Sequence, residues 1–409
     1  MLRHDESTIK GPMKILLVND AATPGGGAEI LTLALRDEYR QRGHDARVFA
    51  STAAYGSQPR EAEYTCFGTT STYRTANRVI NPSAWFSLRK ALRDFQPDVV
   101  HVRMFTTQLS ALILPMLRHI PSVYHATWRE VICPIGLKLL PDGSICNQRA
   151  GTCCLKNQCV SAAAWGPLIL QQQMCQRWLS AFDRIVANSD SVRESLIAEI
   201  EQPVIVIPNG VPVTPQRPAL TSPPTVSYCG RLSREKGVEV LLRSFHAVLK
   251  RIPEAQLILV GEGELRSELE STTKNLDMAS QVTFTGHLCR DEIEKQLAQA
   301  WVHTVPSVCA EGFGLVAAEA MMRGTAVIGS RAGGLLQVIS DPKTGRLVPP
   351  GDEDALTQAL LQFLEDRSVA ECTGQAARKR ALQEFSQAAC AESFLNLYQL
   401  VIDERKTAK

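Results

Sequence analysis

The sequence predicts an α/β chain built as two doubly wound, parallel-sheet halves. Three observations lead there. The chain has 409 residues, more than one ordinary hydrophobic core accommodates, since cores stop growing at about 250–300 residues. Short apolar runs of buried-strand type alternate with helical patterns, as parallel strands covered on both faces require. Residues 203–224 carry seven prolines, which neither continue a helix nor serve a central strand, so the chain divides there.

Residues 1–12 are polar and aperiodic and read as a disordered extension. The first half, 13–205, opens with the apolar run 14–18. Gly25, Gly26 and Gly27 then lead into an amphipathic helix that reaches about Arg42. Strand character returns at 46–50, 98–102, 122–125, 184–187 and 204–207, with helical patterns between. A proline-rich linker takes 206–224. The second half, 225–385, repeats the alternation with strands at 225–229, 256–260, 281–284, 301–305 and 326–328. From about Asp352 the chain is helical, and 386–409 reads as a closing helix. Two such halves joined by a hinge put a ligand crevice between them, outside the carboxyl ends of the strands.

Composition removes several classes of function. The formal net charge is +2, which gives no electrostatic case for nucleic acid. The charge is uneven: residues 1–205 hold 22 Lys and Arg against 18 Asp and Glu, and 17 of those cations are arginines, the better phosphate ligands. No stretch approaches 18 uninterrupted apolar residues, so no transmembrane helix is expected. An apolar secretory core is missing from the N-terminus. A cytoplasmic protein is therefore expected, with Cys229, Cys289 and Cys309 as reduced core residues.

The most telling segment runs from Ser307 to Gly324. A buried strand before it and a helix from Leu315 to Arg323 leave Glu311 in the connecting loop and Glu319 on the helix, eight residues on. Gly312 and Gly314 allow close backbone approach, and the orphan N–H groups and positive dipole end of the helix make an anion site beside Phe313 and Leu315. Phosphate at a helix mouth, with carboxylates accepting from hydroxyls nearby, is the chemistry of a nucleotide-sugar pocket. After the first strand of the second half, Arg231 and Lys236 can converge on one diphosphate, a planar fork and a mobile point charge. The three glycines 25–27 permit a loop to close over phosphates, but their spacing is not a dinucleotide fingerprint. His125 ends a strand, facing the expected crevice.

These segments resemble family 4 of the glycosyltransferases. The run from Ser307 through Gly324 to Gly345-Arg-Leu-Val-Pro-Pro-Gly-Asp is similar to that family's E-x7-E signature and its sequel. Gly230-Arg231-Leu-Ser-Arg-Glu-Lys236-Gly237 resembles its G-R-L-x-x-x-K-G element, and Gly261-Glu-Gly263 its V-G-x-G element. The resemblance covers about 14–366 and implies a GT-B fold: two Rossmann-like domains facing across a cleft, with the last helix crossing back to the N-terminal domain. It implies a retaining, metal-independent transfer from a nucleoside-diphosphate sugar to a glycan, lipid-linked or small-molecule acceptor, in polysaccharide or glycoconjugate synthesis. By that likeness Glu311 and His125 contact the donor sugar, Glu319 the ribose diol, and Arg231 and Lys236 the pyrophosphate. Gly26, Gly27, Gly261, Gly263, Gly312, Phe313, Gly314 and Leu315 line the nucleotide site. Two positions depart from the pattern: Arg103 replaces the second histidine of an H-x-H pair begun by His101, and Pro212 replaces the aspartate of N-G-V-D. A nucleotide-sugar 2-epimerase of the same fold and a non-catalytic glycosyltransferase-like subunit are the rival readings.

Two features stand outside that pattern. Cys133, Cys146, Cys153, Cys154 and Cys159 crowd into an insertion, 133–159, poor in periodic pattern. A loop so long needs a staple or a function. A structural zinc ion on Cys133, Cys146, Cys154 and Cys159 is the first candidate; an iron–sulfur cluster and unliganded thiols stay open. Between 72 and 95, Arg74, Arg78, Arg89, Lys90 and Arg93 surround Trp85 and Phe86. Such a face suits anionic lipid or a lipid-linked pyrophosphate, and with it peripheral association at the inner face of a membrane. The same pattern also fits a plain amphipathic helix.

Overall fold

The run Lys14–Ala21 (β1) is apolar for most of its length and buried on both faces. Its alternate side chains feed two different cores. Leu16 and Val18 pack with the helix Pro82–Phe95, the 3-10 turns Ala111–His119 and the helix Ala162–Trp178. Ile15 and Leu17 pack with the helices Gly27–Gln41 and Gln387–Thr407. That division is the period-two geometry of a strand covered by helices on both sides.

In this computed structural model, residues 11–23, 27–53, 61–71, 74–141 and 144–407 are described. They form two units, Met1–Gly210 with Gln387–Lys409, and Val211–Ser386. Among the described residues of the first, β1 is joined by Asp45–Ser51 (β2), Tyr64–Cys66 (β3), Val99–Val102 (β4), Ser122–Ala126 (β5), Arg184–Ala187 (β6) and Val204–Val206 (β7). All pairings are parallel, in the order β3-β2-β1-β4-β5-β6-β7. The second unit contains Thr225–Cys229 (β8), Gln256–Val260 (β9), Val282–Gly286 (β10), Val302–Val305 (β11), Ala326–Ser330 (β12) and Gly345–Val348 (β13). Its order is β10-β9-β8-β11-β12-β13, again parallel. Both units are thus Rossmann-like α/β layers. Strand order reverses between β1 and β4 in one and between β8 and β11 in the other, and ligands of such sheets bind outside the strand ends at the reversal.

The structure departs from the sequence expectation at three places. β3 and β13 are additional strands, one short and half-exposed, the other opening on glycine. The segment 206–224 is not a free connector. Ile207 lies in the first core, whereas Val211, Thr214, Arg217 and Leu220 are buried in the second unit. Arg217 is fixed there by its N–H to Arg323 O at 2.9 Å and its Nε to Gly324 O at 2.8 Å. The chain passes from one unit to the other between Gly210 and Val211.

Candidate active site

In the second unit the loops that follow β8, β9, β11 and β12 meet at the reversal point. Glycine makes the meeting possible. A Cβ on Gly237 would lie 2.0 Å from Pro306 O, on Gly263 2.2 Å from Leu232 O, and on Gly334 2.5 Å from Phe313 Cα. Backbone bonds stitch the loops together: Leu232 N to Glu262 O at 2.9 Å, Val308 N to Glu235 O at 3.0 Å and Gly334 N to Glu311 O at 2.8 Å. Gly261 and Gly263 therefore act through close backbone packing against the 230–232 segment.

Two of the expected site residues are brought into direct contact. Lys236 Nζ donates to Glu311 Oε1 at 2.6 Å, and Ser307 Oγ donates to the same oxygen at 2.5 Å. Glu311 is buried, and Lys236 is half-buried. Ser307 is a site residue that the sequence reading did not single out, as are Gly333 and Gly334 behind Glu311. The Ala-Gly-Gly run after β12 was their signal. Arg231 is exposed and stands 3.8 Å from Glu235, while its carbonyl accepts from Tyr228 Oη at 2.7 Å, which holds the loop. Its guanidinium, held only by that long contact among the described residues, can turn to a ligand.

Glu319, on the helix Leu315–Arg323, is half-buried and takes no hydrogen bond from a protein donor among the described residues. Burial pushes its carboxyl up, against the pull of Arg290 and Arg323. That helix begins at Gly314, φ 95°, with no side chain capping it. The helix Val238–Leu249 likewise begins at Gly237, φ 67°, without a side-chain cap. Uncapped helix starts with Lys236 and Arg231 are chemistry that suits an anion, and an unpaired carboxylate suits a hydroxylated group.

Other expectations need correction. Phe313 is a core residue, edge-on to Phe385 at 5.7 Å between centroids, so only its backbone can serve a ligand. Leu315 is half-buried against the same core, and Gly312 is buried. In the first unit His125 is fully buried on β5 rather than open at a strand end. Phe394 covers it at 4.8 Å and His101 flanks it at 5.4 Å. Burial, with Arg103 and His101 adding to it, holds its pKa well below the usual histidine value. Gly27 is exposed at the start of its helix, while Gly25 and Gly26 lie outside the described residues.

Among the described residues, no group of three or more His, Cys, Asp or Glu side chains is placed to hold a metal ion. Cys153 and Cys154 are neighbours on the short helix Thr152–Lys156, sulfurs 3.9 Å apart. Cys133 lies near enough to add to the upward push that burial gives the Cys154 and Cys159 thiols, and Cys146 adds to it at Cys159. The insertion is held by a small apolar cluster of Cys154, Val160 and Leu168 and by buried Lys138, which pairs with Glu199 and donates to Gln148 O at 2.7 Å.

The basic segment forms two helices, Arg74–Val79, whose Arg78 turns inward to Thr106 O and Pro134 O, and Pro82–Phe95. Phe86, Arg89, Lys90 and Arg93 share its exposed face, and Arg89 lies over Trp85 at 5.4 Å. A groove of about 430 Å³ runs beside it, lined by Trp85, Arg89, Leu92, Arg93 and Met116. No described helix is long and apolar enough to cross a membrane.

Comparison with known proteins divides the chain at residue 214, close to the division of the fold after Gly210. Residues 25–214 match the profile of Glycosyltransferase Family 4, and residues 214–380 that of Glycosyl transferases group 1. A phosphatidyl-myo-inositol mannosyltransferase of Mycolicibacterium smegmatis is 33% identical over 188 residues, 44% of this chain and 48% of the relative. An uncharacterised glycosyltransferase of Methanocaldococcus jannaschii is 32% identical over 178 residues, 44% of this chain and 45% of the relative. The chain thus covers just under half the length of these two. A glycogen synthase of Mycobacterium tuberculosis is 28% identical over 320 residues, 75% of this chain and 69% of its own. Among solved structures, a sucrose-phosphate synthase from Thermosynechococcus elongatus superposes with a TM-score of 0.71 at 22% identity, covering 95% of this chain and 99% of its own. An Anabaena protein in complex with UDP and glucose gives 0.67 at 20% identity, with 95% and 99% covered.

Proposed function

The chain belongs to family 4 of the glycosyltransferases, and we propose that it moves a glycosyl unit from a nucleoside-diphosphate sugar to an acceptor hydroxyl with the anomeric configuration retained. The observation that carries this reading is the Lys236–Glu311–Ser307 contact at the sheet reversal, beside two uncapped helix starts. The diphosphate lies over the starts of the helices Val238–Leu249 and Leu315–Arg323. Arg231 and Lys236 hold its oxygens, and Glu319 takes the ribose diol. Glu311 accepts from hydroxyls of the donor sugar.

Bond cleavage leaves negative charge on the departing β-phosphate. Two cations and two helix dipoles, fixed before the reaction, stabilise that charge as it develops. The positive charge a divalent ion would supply is then provided by the protein. The acceptor enters on the face the phosphate leaves, and the leaving oxygen takes its proton, which keeps the configuration. The cationic, aromatic face of the helix Pro82–Phe95 suits a lipid-linked acceptor at an anionic membrane surface.

A melting-temperature panel of UDP-, GDP-, ADP- and dTDP-sugars should show one nucleotide series raising Tm by several degrees. With that donor and an acceptor, NMR of the product should show the donor's anomeric configuration. Conversion of the donor sugar with no acceptor present would overturn transfer in favour of epimerisation. Stabilisation by no nucleotide would remove the site. Sedimentation with anionic but not neutral vesicles checks the membrane face.

A further inference from the structure

Arg103 is the first residue after β4, at the strand reversal of the first sheet. It is 1% exposed and makes no ion pair among the described residues. Two of its donors, Nε and Nη2, have no partner. These two nitrogens share one edge of the guanidinium, the edge whose parallel N–H bonds grip an anion. Elsewhere in this chain Arg323 uses that edge on Glu294, at 2.8 and 2.9 Å.

A guanidinium does not escape burial by losing its proton, and an unpaired buried charge is strongly unfavourable. Its surroundings offer little relief. Tyr39, Tyr398 and Cys390 are buried and held neutral by burial, and Glu29, half-buried at the start of its helix, attracts the guanidinium without forming an ion pair with it. His101 and His125 lie within the field of Arg103, which helps hold both neutral. Beside Arg103 is a cavity of about 10 Å³, lined also by Leu31, Leu35, Asn209, Gln387 and Cys390. It admits a single small occupant. A water would leave the charge uncompensated; a single-atom anion would not.

We propose that the unpaired edge of Arg103 and this cavity form a binding site for a small inorganic anion of halide size, chloride being the physiological case. The site lies where the chain leaves the first unit at Gly210 and returns at Gln387. A bound anion therefore ties both segments to the end of β4 and stabilises the unit.

The test is the melting temperature of the full chain in sodium chloride and in sodium gluconate at equal ionic strength and pH. Chloride should raise Tm in a saturable way, and 35Cl NMR lines should broaden with the wild type. In Arg103→Leu both effects should vanish. Cys390→Met, which keeps the guanidinium and fills the cavity, should also abolish them, and it serves if the leucine variant does not fold. Equal Tm in the two salts for the wild type overturns the proposal, as does a chloride effect that survives both substitutions. Stabilisation by inorganic phosphate and not by chloride would overturn the halide-sized site.

Discussion

Glu311 accepts from both Lys236 and Ser307 through a single oxygen, which leaves its other oxygen for a ligand. Removing the carboxylate and removing the cation should therefore have different signatures. Glu311→Ala frees the ammonium for phosphate, so free nucleoside diphosphate should bind as well or better while transfer falls. Lys236→Ala should lower turnover by about a hundredfold, the scale of one lost donor to a developing charge, and weaken the nucleotide as well. Calorimetric affinities beside transfer rates separate the two, and equal loss of nucleotide affinity in both would contradict the assignment. A second residue carries a pH signature. Burial pushes the Glu130 carboxyl up from 4.5 to about 7. Between those values the folded chain holds a proton that the unfolded chain has lost, so this group's contribution to stability is complete below about 4.5 and lost as pH rises through about 7. Glu130→Gln should accordingly raise Tm relative to wild type more at pH 8 than at pH 5. A constant difference across that range would show that Glu130 is not the titrating group.

At the scale of elements, the site depends on how closely loops approach. Gly237 combines a left-handed φ of 67° with a position where a Cβ would strike Pro306 O. Gly237→Ala should push the β8 loop off the β11 loop, weaken nucleotide binding at least tenfold and lower Tm. Gly43, φ 84°, has open space around its Cβ position. Gly43→Ala should show only the backbone penalty of about 1 kcal/mol and leave nucleotide affinity unchanged. Most strands were legible in the sequence because a strand buried on both faces is a nearly unbroken apolar run, as 14–18 and 256–260 are. β3 was not, because Tyr64–Cys66 is half-exposed, nor β13, whose first residues are Gly345 and Arg346. The spacing of Glu311 and Glu319 placed one in a loop and the other on a helix. It could not show that Phe313 turns to Phe385, or that Phe394 from the far end of the chain covers His125. Those contacts are tertiary and leave no local pattern.

At the scale of the molecule, the helix Gln387–Thr407 belongs to the first unit although it follows the second in sequence. Phe394, Leu395, Tyr398 and Val401 are completely buried in it. Tyr398 Oη bonds His101 Nδ1 and Tyr39 Oη, and Arg405 bonds Asp183 at 2.7 Å. Burial of each such side chain contributes about 1.5–3 kcal/mol, which together rivals the whole stability of an ordinary domain. Deletion of 387–409 should therefore unfold the first unit and leave Val211–Ser386 folded. Calorimetry should show one transition lost and one kept, with nucleotide still stabilising the survivor. Loss of both transitions would mean that the second unit does not stand alone. The same connectivity sets a schedule on the ribosome. The second unit is continuous in sequence and can finish as soon as it emerges. The first must wait, its sheet covered only by the helix Gly27–Gln41 on the side of Ile15, Val48, Val99 and Val123, until Gln387–Thr407 emerges. For that interval a nascent chain carries a finished domain and an open, adhesive one, and it is the earlier-made half that needs shelter from its neighbours.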